Sequence, residues 1–235
     1  IIASVGSFTD KMKILKLSSR LKKNSISKIF ESSEQSTLNY LQDVGFSDKI
    51  IRYFFQPFFA GIYLEEDLHT SSRMFEFVYK MFSLGDAAIP SNGIQAIPEQ
   101  LASQLKKTTL RFNTEVSSVQ NKTITLASRE TMSADNIIIA TDTNAIIPTE
   151  KQDKNDWKGC WNIYLETANS VLGEPIIALL PNKDLLVNNF HFLDDVFGRS
   201  SKNIISVTVV KDFSGTEKEL VNKVKQELAK HCNIQ

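Results

Sequence analysis

Few side chains in this sequence stand at spacings that would support chemistry of their own. The three histidines, His69, His191 and His231, are scattered, and neither an H-x-x-x-H nor a C-x-x-C pair occurs, so metal-ligand spacing is missing. No G-x-S-x-G motif, paired-carboxylate signature or phosphate-binding loop is present either. The sequence therefore predicts no metal site, and it reveals no nucleophile or acid–base pair.

Two charged features each admit a functional and a structural interpretation. Residues 65–67 (Glu-Glu-Asp) form an acidic run, whose composition favours a solvated loop. Arg73 opens a helical pattern, and its guanidinium suits either a substrate carboxylate or a carboxylate of the protein itself. We take Arg73 as a candidate substrate-binding residue, with the structural ion pair as the alternative.

Aromatic residues are concentrated between residues 54 and 82. Such a cluster can line a large apolar cavity, and it can equally fill a core. We take Phe55, Phe59 and Phe77 as candidate substrate-binding residues and leave the core interpretation open. The full set is Phe54, Phe55, Phe58, Phe59, Phe75, Phe77 and Phe82.

Composition excludes several classes of protein. The 27 basic and 27 acidic side chains give a net charge of zero, which offers no reason to expect nucleic acid or an anionic membrane as partner. Cys160 and Cys232 lie far apart, as expected for packing residues in a reducing, cytoplasmic compartment. The uncharged stretch 53–64 is shorter than the roughly 20 residues of a spanning helix. We expect a soluble protein, attached at most to one membrane face.

Helical periodicity dominates the first ninety residues. A helix is predicted over 71–83, with an aromatic face turned inward and with Glu76 and Lys80 forming an i,i+4 pair on the opposite side. Another helix is predicted to begin at Ser47 and to stop at Pro57, because proline disfavours helix in the residue before it.

Strand patterns dominate the remainder. After a helix near Pro98 that buries Leu101 and Leu105, short strands are predicted from residue 110, followed by a fully buried apolar strand over 136–140. Four further strands, typical of an antiparallel meander, precede a final helix that begins at Thr216, where Glu219 three residues later completes a capping box. The sequence thus predicts an α+β fold (mixed α/β), with a helical region and a mostly antiparallel sheet.

Several segments, in this order, carry a family resemblance: 54–64 (FFQPFFAGIYL), 67–75 (DLHTSSRMF), 85–90 (GDAAIP), 93–98 (GIQAIP), 134–141 (ADNIIIAT) and 187–189 (VNN). They resemble flavin amine oxidases of the phytoene-desaturase and protoporphyrinogen-oxidase branch. The resemblance implies FAD as cofactor, a Rossmann-like FAD domain, and an inserted substrate-binding domain. It assigns residues 1–90 to the helical part of the substrate-binding domain, 91–150 to a partial FAD-binding domain, and 151–235 to the substrate-domain sheet and C-terminal helix.

The resemblance also implies site residues and a reaction. Val116 matches a position whose backbone meets the adenine of FAD, and Ala140 and Thr141 match positions near the diphosphate. Hydride transfer to the flavin would oxidise or desaturate an apolar or amine substrate, such as a polyene, a porphyrin or a lipid-like amine, without a catalytic side chain that we can name.

The sequence departs from the family pattern in two places. None of the nine glycines forms the G-x-G-x-x-G loop that holds the diphosphate, and the glycine-rich segment that closes around the flavin is absent. We therefore expect an internal fragment that is inactive and does not retain FAD by itself. The alternative is a non-enzymatic module that binds an apolar ligand or a protein partner.

Overall fold

The computed structural model describes residues 5–141, 146–147, 157–198 and 203–234. The chain divides into two compact units, which we call unit 1 (Ile1–Ser91 with Lys158–Gln235) and unit 2 (Asn92–Trp157). Among the described residues, no helix has the length and apolar character needed to cross a membrane, and no group of histidine, cysteine and acidic side chains could hold a metal.

The first part of unit 1 is helical, and serine residues define where its helices begin. In each of five helices a serine side chain accepts a first-turn N–H, which satisfies a donor that the helix itself leaves unpaired. The helices are α1 (Phe8–Lys23), α2 (Ile26–Phe30), α3 (Thr37–Asp43), α4 (Asp48–Ile50), α5 (Gln56–Tyr63) and α6 (Ser72–Leu84). The caps are Ser7, Ser25, Ser36, Ser47 and Ser71.

Asp10 joins the beginnings of two of these helices. Its fully buried carboxylate accepts bonds from the N–H and hydroxyl of Ser7, both at 2.7 Å, and from the N–H (2.9 Å) and hydroxyl (2.7 Å) of Ser47. Burial acts to raise the pKa of Asp10, but these bonds outweigh it and hold the pKa well below its usual range. The first turn of α1 is thereby fixed to the first turn of α4.

The polar pair on α6 lies inside the protein, so the prediction that Glu76 and Lys80 face solvent is wrong. Glu76 accepts bonds from the hydroxyl of Tyr40 at 2.6 Å and from Arg20 at 2.8 Å. Lys80 Nζ donates to the carbonyls of Leu21 (2.8 Å) and Lys22 (3.0 Å) in the last turn of α1. The last turn of α1 is the negative end of its helix dipole, so the ammonium group of Lys80 is stabilised there. This interaction explains why Lys80 points inward.

Pro57 does not end a helix, contrary to the prediction. The chain runs from α4 through one π-helical segment, which we call the π-turn (Ile51–Phe55), directly into α5. Pro57 lies in the first turn of α5, where a missing N–H costs little. The hydrogen bonds of the π-turn span more residues than those of an α-helix. A new α-helix, α5, therefore begins after it, and Pro57 falls in the first turn of that helix.

The second part of unit 1 is the predicted antiparallel sheet covered by a helix, but the predicted meander is wrong, because the first strand pairs with the last rather than with the second. Its strands follow the spatial order β4–β7–β6–β5, and β7 lies at the centre of the apolar core. Leu220, Val224 and Leu228 of the last helix pack into this core, and the predicted Thr216–Glu219 capping box is present. The elements are β4 (Trp161–Thr167), β5 (Ala178–Leu179), β6 (Val187–Phe192), α8 (Leu193–Phe197), β7 (Asn203–Val209) and α9 (Glu217–Cys232).

Unit 2 contains α7 (Ala96–Ser103) and an antiparallel sheet of β1 (Val116–Gln120), β2 (Thr123–Leu126) and β3 (Thr131–Ser133). Residues 136–140 do not form the predicted buried strand, and Ile138 is 92% exposed. Residues 110–112 are not a strand either, and Leu101 and Leu105 are exposed. A strand buried on both faces needs flanking strands, and the described segments supply none beside 136–140. The α+β class itself is confirmed.

We predict that Asp10→Asn lowers the free energy of unfolding by about 2 kcal/mol at neutral pH, because an amide cannot accept all four bonds. The folded-state pKa lies below the unfolded value of about 3.9, so this stabilisation is complete above that pH and is lost as the pH falls. Urea unfolding at a series of pH values should show the gap between wild type and variant closing below about pH 4. Exposed Asp43→Asn is the control, and a gap independent of pH would contradict the prediction.

We predict that Glu76→Ala lowers the free energy of unfolding by about 3 kcal/mol, because it leaves the buried Tyr40 hydroxyl and the Arg20 guanidinium without the carboxylate to which both donate. Urea unfolding is the measurement, and Glu31→Ala, which truncates an exposed glutamate, is the matched control. Equal losses in the two variants would show that the Glu76 contacts contribute nothing.

Candidate functional site

One face of α6 lines a hollow of about 310 Å³ that is open to solvent, which we call the α6 hollow. This volume lies at the lower end of the range of roughly 300–1,000 Å³ that is typical of small-molecule sites. Six of its seven residues bring no charge, and Asp86 supplies the only carboxyl group. The lining residues are Phe77, Val78, Met81, Phe82, Gly85, Asp86 and Ala87.

The aromatic cluster forms successive layers beneath this hollow. The Phe82 ring lies 5.4 Å from that of Phe58, which lies 5.2 Å from Phe59, and Phe59 contacts Phe55 at 6.4 Å between centroids. Phe55 and Phe59 are 0% and 1% exposed, so no void large enough for a water molecule reaches them. Of the three phenylalanines that the sequence nominated, Phe77 lies in the wall of the hollow, while Phe55 and Phe59 lie in the core that supports it.

Arg73, the fourth nominated residue, is engaged with the protein. Its Nε donates to the carbonyl of Ser32 at 2.7 Å, and its Nη1 lies 3.4 Å from Glu34. These contacts fix the start of α6 to the segment after α2. The geometry is that of the structural ion pair that the sequence left as the alternative.

A smaller pocket of about 40 Å³ lies where the π-turn and α5 meet the sheet of unit 1. It has room for about one water molecule, so an extended apolar substrate does not fit. Gly61 lies against this junction: a Cβ there would be 2.8 Å from the Asn189 amide nitrogen and 3.1 Å from the Asn188 side-chain oxygen, so these side chains would have to shift. Two of the segments that carry the family resemblance, 54–64 and 187–189, therefore meet in space.

A third hollow, of about 440 Å³, lies along α9 and is lined by charged and amide side chains. Its volume does not make it a better or worse candidate for an apolar ligand than the α6 hollow, but the residues that line it do. The apolar wall of the α6 hollow suits an apolar ligand, whereas this hollow would require an apolar ligand to desolvate charged groups. Its lining residues are Asn182, Asp184, Leu185, Lys223, Gln226, Glu227, Lys230 and His231.

Tyr63, at the end of α5, is a candidate that the sequence did not reveal. Its hydroxyl is buried without a hydrogen-bond partner in the described part of the chain, and burial, with the charge of Glu65, raises its pKa. A buried hydroxyl without a partner costs free energy, so it marks a position to be satisfied by another group. Nothing in the spacing around Tyr63 signals this, because it depends on tertiary burial.

The acidic run next to Tyr63 is only partly solvated. The Glu65 side chain is 11% exposed, contacts Lys158 and accepts the Thr70 N–H. Burial acts to raise the pKa of Glu65, but the bonds from Lys158 and Thr70 outweigh it and lower the pKa. The predicted solvated loop is therefore wrong for Glu65.

The residues expected to meet FAD lie in unit 2, and their role in binding it stays a prediction. Val116 is half-buried at the start of β1, and Ala140 and Thr141 are exposed and lie outside any strand. Gly93 is the sole glycine of unit 2, and nothing approaches the position of its missing Cβ within 4 Å. The G-x-G-x-x-G loop that holds the diphosphate in the family pattern is not found in this sequence.

Comparison with known proteins gives one family and one fold. No curated protein matches the sequence significantly. The fold is similar to the crystal structure of the PF1083 protein from Pyrococcus furiosus, with a TM-score of 0.59 and 15% identity. That similarity covers 92% of this chain but only 60% of the PF1083 chain, and at this identity it concerns the fold alone.

Residues 7–233 match the model of the family described as flavin containing amine oxidoreductase. The match covers nearly the whole chain and confirms the resemblance at the level of the superfamily. The chain belongs to the flavin containing amine oxidoreductase family.

Proposed function

We propose that this chain is the substrate-binding and partial cofactor-binding portion of an FAD-dependent oxidoreductase that oxidises or desaturates an apolar or amine substrate. The match of residues 7–233 to the flavin family is the observation that carries this proposal. Redox chemistry in such enzymes comes from the flavin, so the protein need only bind, orient and shield the substrate. This division of roles agrees with the lack of any catalytic motif in the sequence.

In this proposal unit 1 binds the substrate through the α6 hollow. Phe77, Met81 and Phe82 offer partly exposed apolar surface above a rigid aromatic floor. Aromatic and thioether side chains adapt to flat or elongated apolar molecules, which suits the phytoene-desaturase and protoporphyrinogen-oxidase branch. Asp86 adds the one anionic group with which a substrate amine could pair.

Unit 2 would contribute only part of the cofactor site. Val116, Ala140 and Thr141 remain the residues proposed to approach FAD, through their backbone groups. The chain supplies neither a G-x-G-x-x-G loop nor a glycine-lined approach, so the diphosphate charge would stay without its usual partners. The isolated chain is therefore proposed to be inactive.

The proposed compartment is the cytoplasm. Both cysteines are free: Cys232 packs partly against the sheet core of unit 1, whereas Cys160 is exposed rather than a packing residue. A free, exposed thiol persists most easily in a reducing environment.

The alternative function is a non-enzymatic module that binds an apolar ligand or a protein partner. One observation favours it. The α6 hollow and its floor belong entirely to unit 1, whereas the residues assigned to FAD belong to unit 2. The two functions differ in whether flavin is needed for ligand chemistry, and the flavin content of the complete product of the reading frame separates them.

We predict that the purified chain binds FAD weakly, with a dissociation constant of about 1 mM or higher. Ultrafiltration with added FAD should leave the flavin in the filtrate, because the phosphate contacts are missing. Retention of one FAD per chain, or a yellow protein after purification, would contradict this.

The complete product of the reading frame that encodes these residues should, in contrast, carry FAD. Its visible flavin spectrum should bleach when a porphyrinogen, polyene or lipophilic amine substrate is added anaerobically. A complete product without flavin that still binds an apolar ligand would establish the alternative.

For the substrate surface, we predict that Met81→Gln weakens binding of the hydrophobic dye Nile red about fivefold, since it removes roughly 1 kcal/mol of apolar contact. Fluorescence titration is the measurement. Met74→Gln is the matched control, because Met74 is exposed on the same helix but does not line the hollow. Equal effects of the two substitutions would locate the dye elsewhere.

A further inference from the structure

Helix α1 presents apolar side chains to solvent on the side opposite its core contacts. Asp10, Leu17 and Leu21 face inward and are buried. Phe8, Met12 and Leu15, spaced four and three residues apart, share the outward side and are 75%, 52% and 52% exposed. Side chains of this size are seldom left so open in a row on one helix, which marks the outward side as a contact surface. We call these three residues the α1 stripe.

Basic residues border the α1 stripe. Helix α1 contains six basic residues and one acid, and that acid, Asp10, is buried in its bonds to Ser7 and Ser47. Lys16, Lys22 and Lys23 are exposed, and helical spacing places Lys22 on one side of the stripe and Lys16 with Lys23 on the other. The zero net charge of the whole chain therefore conceals a strongly positive helix.

We infer that α1 binds an anionic lipid surface and lies in its plane. An apolar stripe bordered by lysines is the arrangement with which a helix inserts shallowly at the boundary of headgroups and acyl chains. The lysine stems follow the apolar surface while their ammonium groups reach the lipid phosphates. A helix of 16 residues extends about 24 Å, enough for the stripe and its lysines to contact the surface together.

Two other occupants fit the same surface less well. A second copy would have to bring the same positive helix against this one, because a twofold interface pairs like with like. Nucleic acid would satisfy the lysines but would leave Phe8, Met12 and Leu15 without an apolar partner. An anionic membrane meets both requirements, and it would hold an enzyme next to lipid-dissolved substrates.

The test is co-sedimentation of the whole chain with vesicles of phosphatidylcholine alone and with added phosphatidylglycerol. We expect binding only to the anionic vesicles. It should weaken strongly between about 0.01 M and 1 M salt, over which the Debye length falls from roughly 30 to 3 Å. Equal binding to the two vesicle types, or binding to neither, would overturn the inference.

Matched variants separate α1 from overall charge. Lys16→Glu with Lys23→Glu should weaken binding about 25-fold or more, at about fivefold for each lysine lost from the surface. Lys218→Glu with Lys225→Glu makes the same change in net charge on exposed positions of α9 and should leave binding nearly unchanged. Equal losses in the two double variants would assign the effect to net charge and overturn the role of α1.

Apolar variants test insertion. Phe8→Ser with Met12→Ser should abolish binding to anionic vesicles, whereas Ile176→Ser with Ile177→Ser, also exposed, should not. Unfolding midpoints of the wild type and the two double variants should stay equal, because none of these side chains is buried. If the Phe8 and Met12 change instead dissolves a dimer seen by sedimentation velocity, without altering vesicle binding, the surface is an interface between copies.

Discussion

The inward orientation of Glu76 and Lys80 is the interaction on which the helical part of unit 1 depends. Lys80 satisfies carbonyls at the end of α1, and Glu76 joins Tyr40 of α3 to Arg20 of α1, so three helices are connected through one polar cluster. Such a cluster is favourable only when every member is paired, and this requirement fixes the rotation of α6 about its own axis. The direction in which every other side chain of α6 points is thereby determined.

Two surface features follow from this rotation. With the polar pair inside, Met81 and Phe82 are carried outward, and the α6 hollow opens between them and the chain that follows. The same contacts fix α1 through its last turn, while Asp10 fixes its first turn to α4. With both ends of α1 held, its Phe8, Met12 and Leu15 remain turned toward solvent. The candidate substrate surface and the candidate membrane surface thus have a common physical origin.

Local signals in the sequence predicted local features well. The serine and threonine caps, the bounds of α6 and the individual strands beside α9 were predictable, because each depends on neighbours within a few residues, whereas the pairing of β4 with β7 was not. The orientation of α6 was not, because the partners of Glu76 and Lys80 lie more than 35 residues away in sequence. The prediction at Pro57 was wrong because the periodicity of the sequence did not reveal the π-turn, which places this proline in the first turn of α5. The candidate site was therefore predicted only in part: Phe77 lines the α6 hollow, whereas Phe55 and Phe59 lie in the core beneath it.

The two units differ in how far they can bury their own apolar residues. Unit 1 has two cores, one formed by the helices and one between the sheet and α9. Among the described apolar residues of unit 2, Leu126 alone is buried, while Leu101, Phe112 and Ile138 are exposed. Because hydrophobic burial is the main favourable term in folding, the stability of the described chain must reside in unit 1. The α6 hollow and α1 therefore rest on the stable part of the molecule, and the residues assigned to FAD rest on the part that is least able to hold a fixed geometry alone.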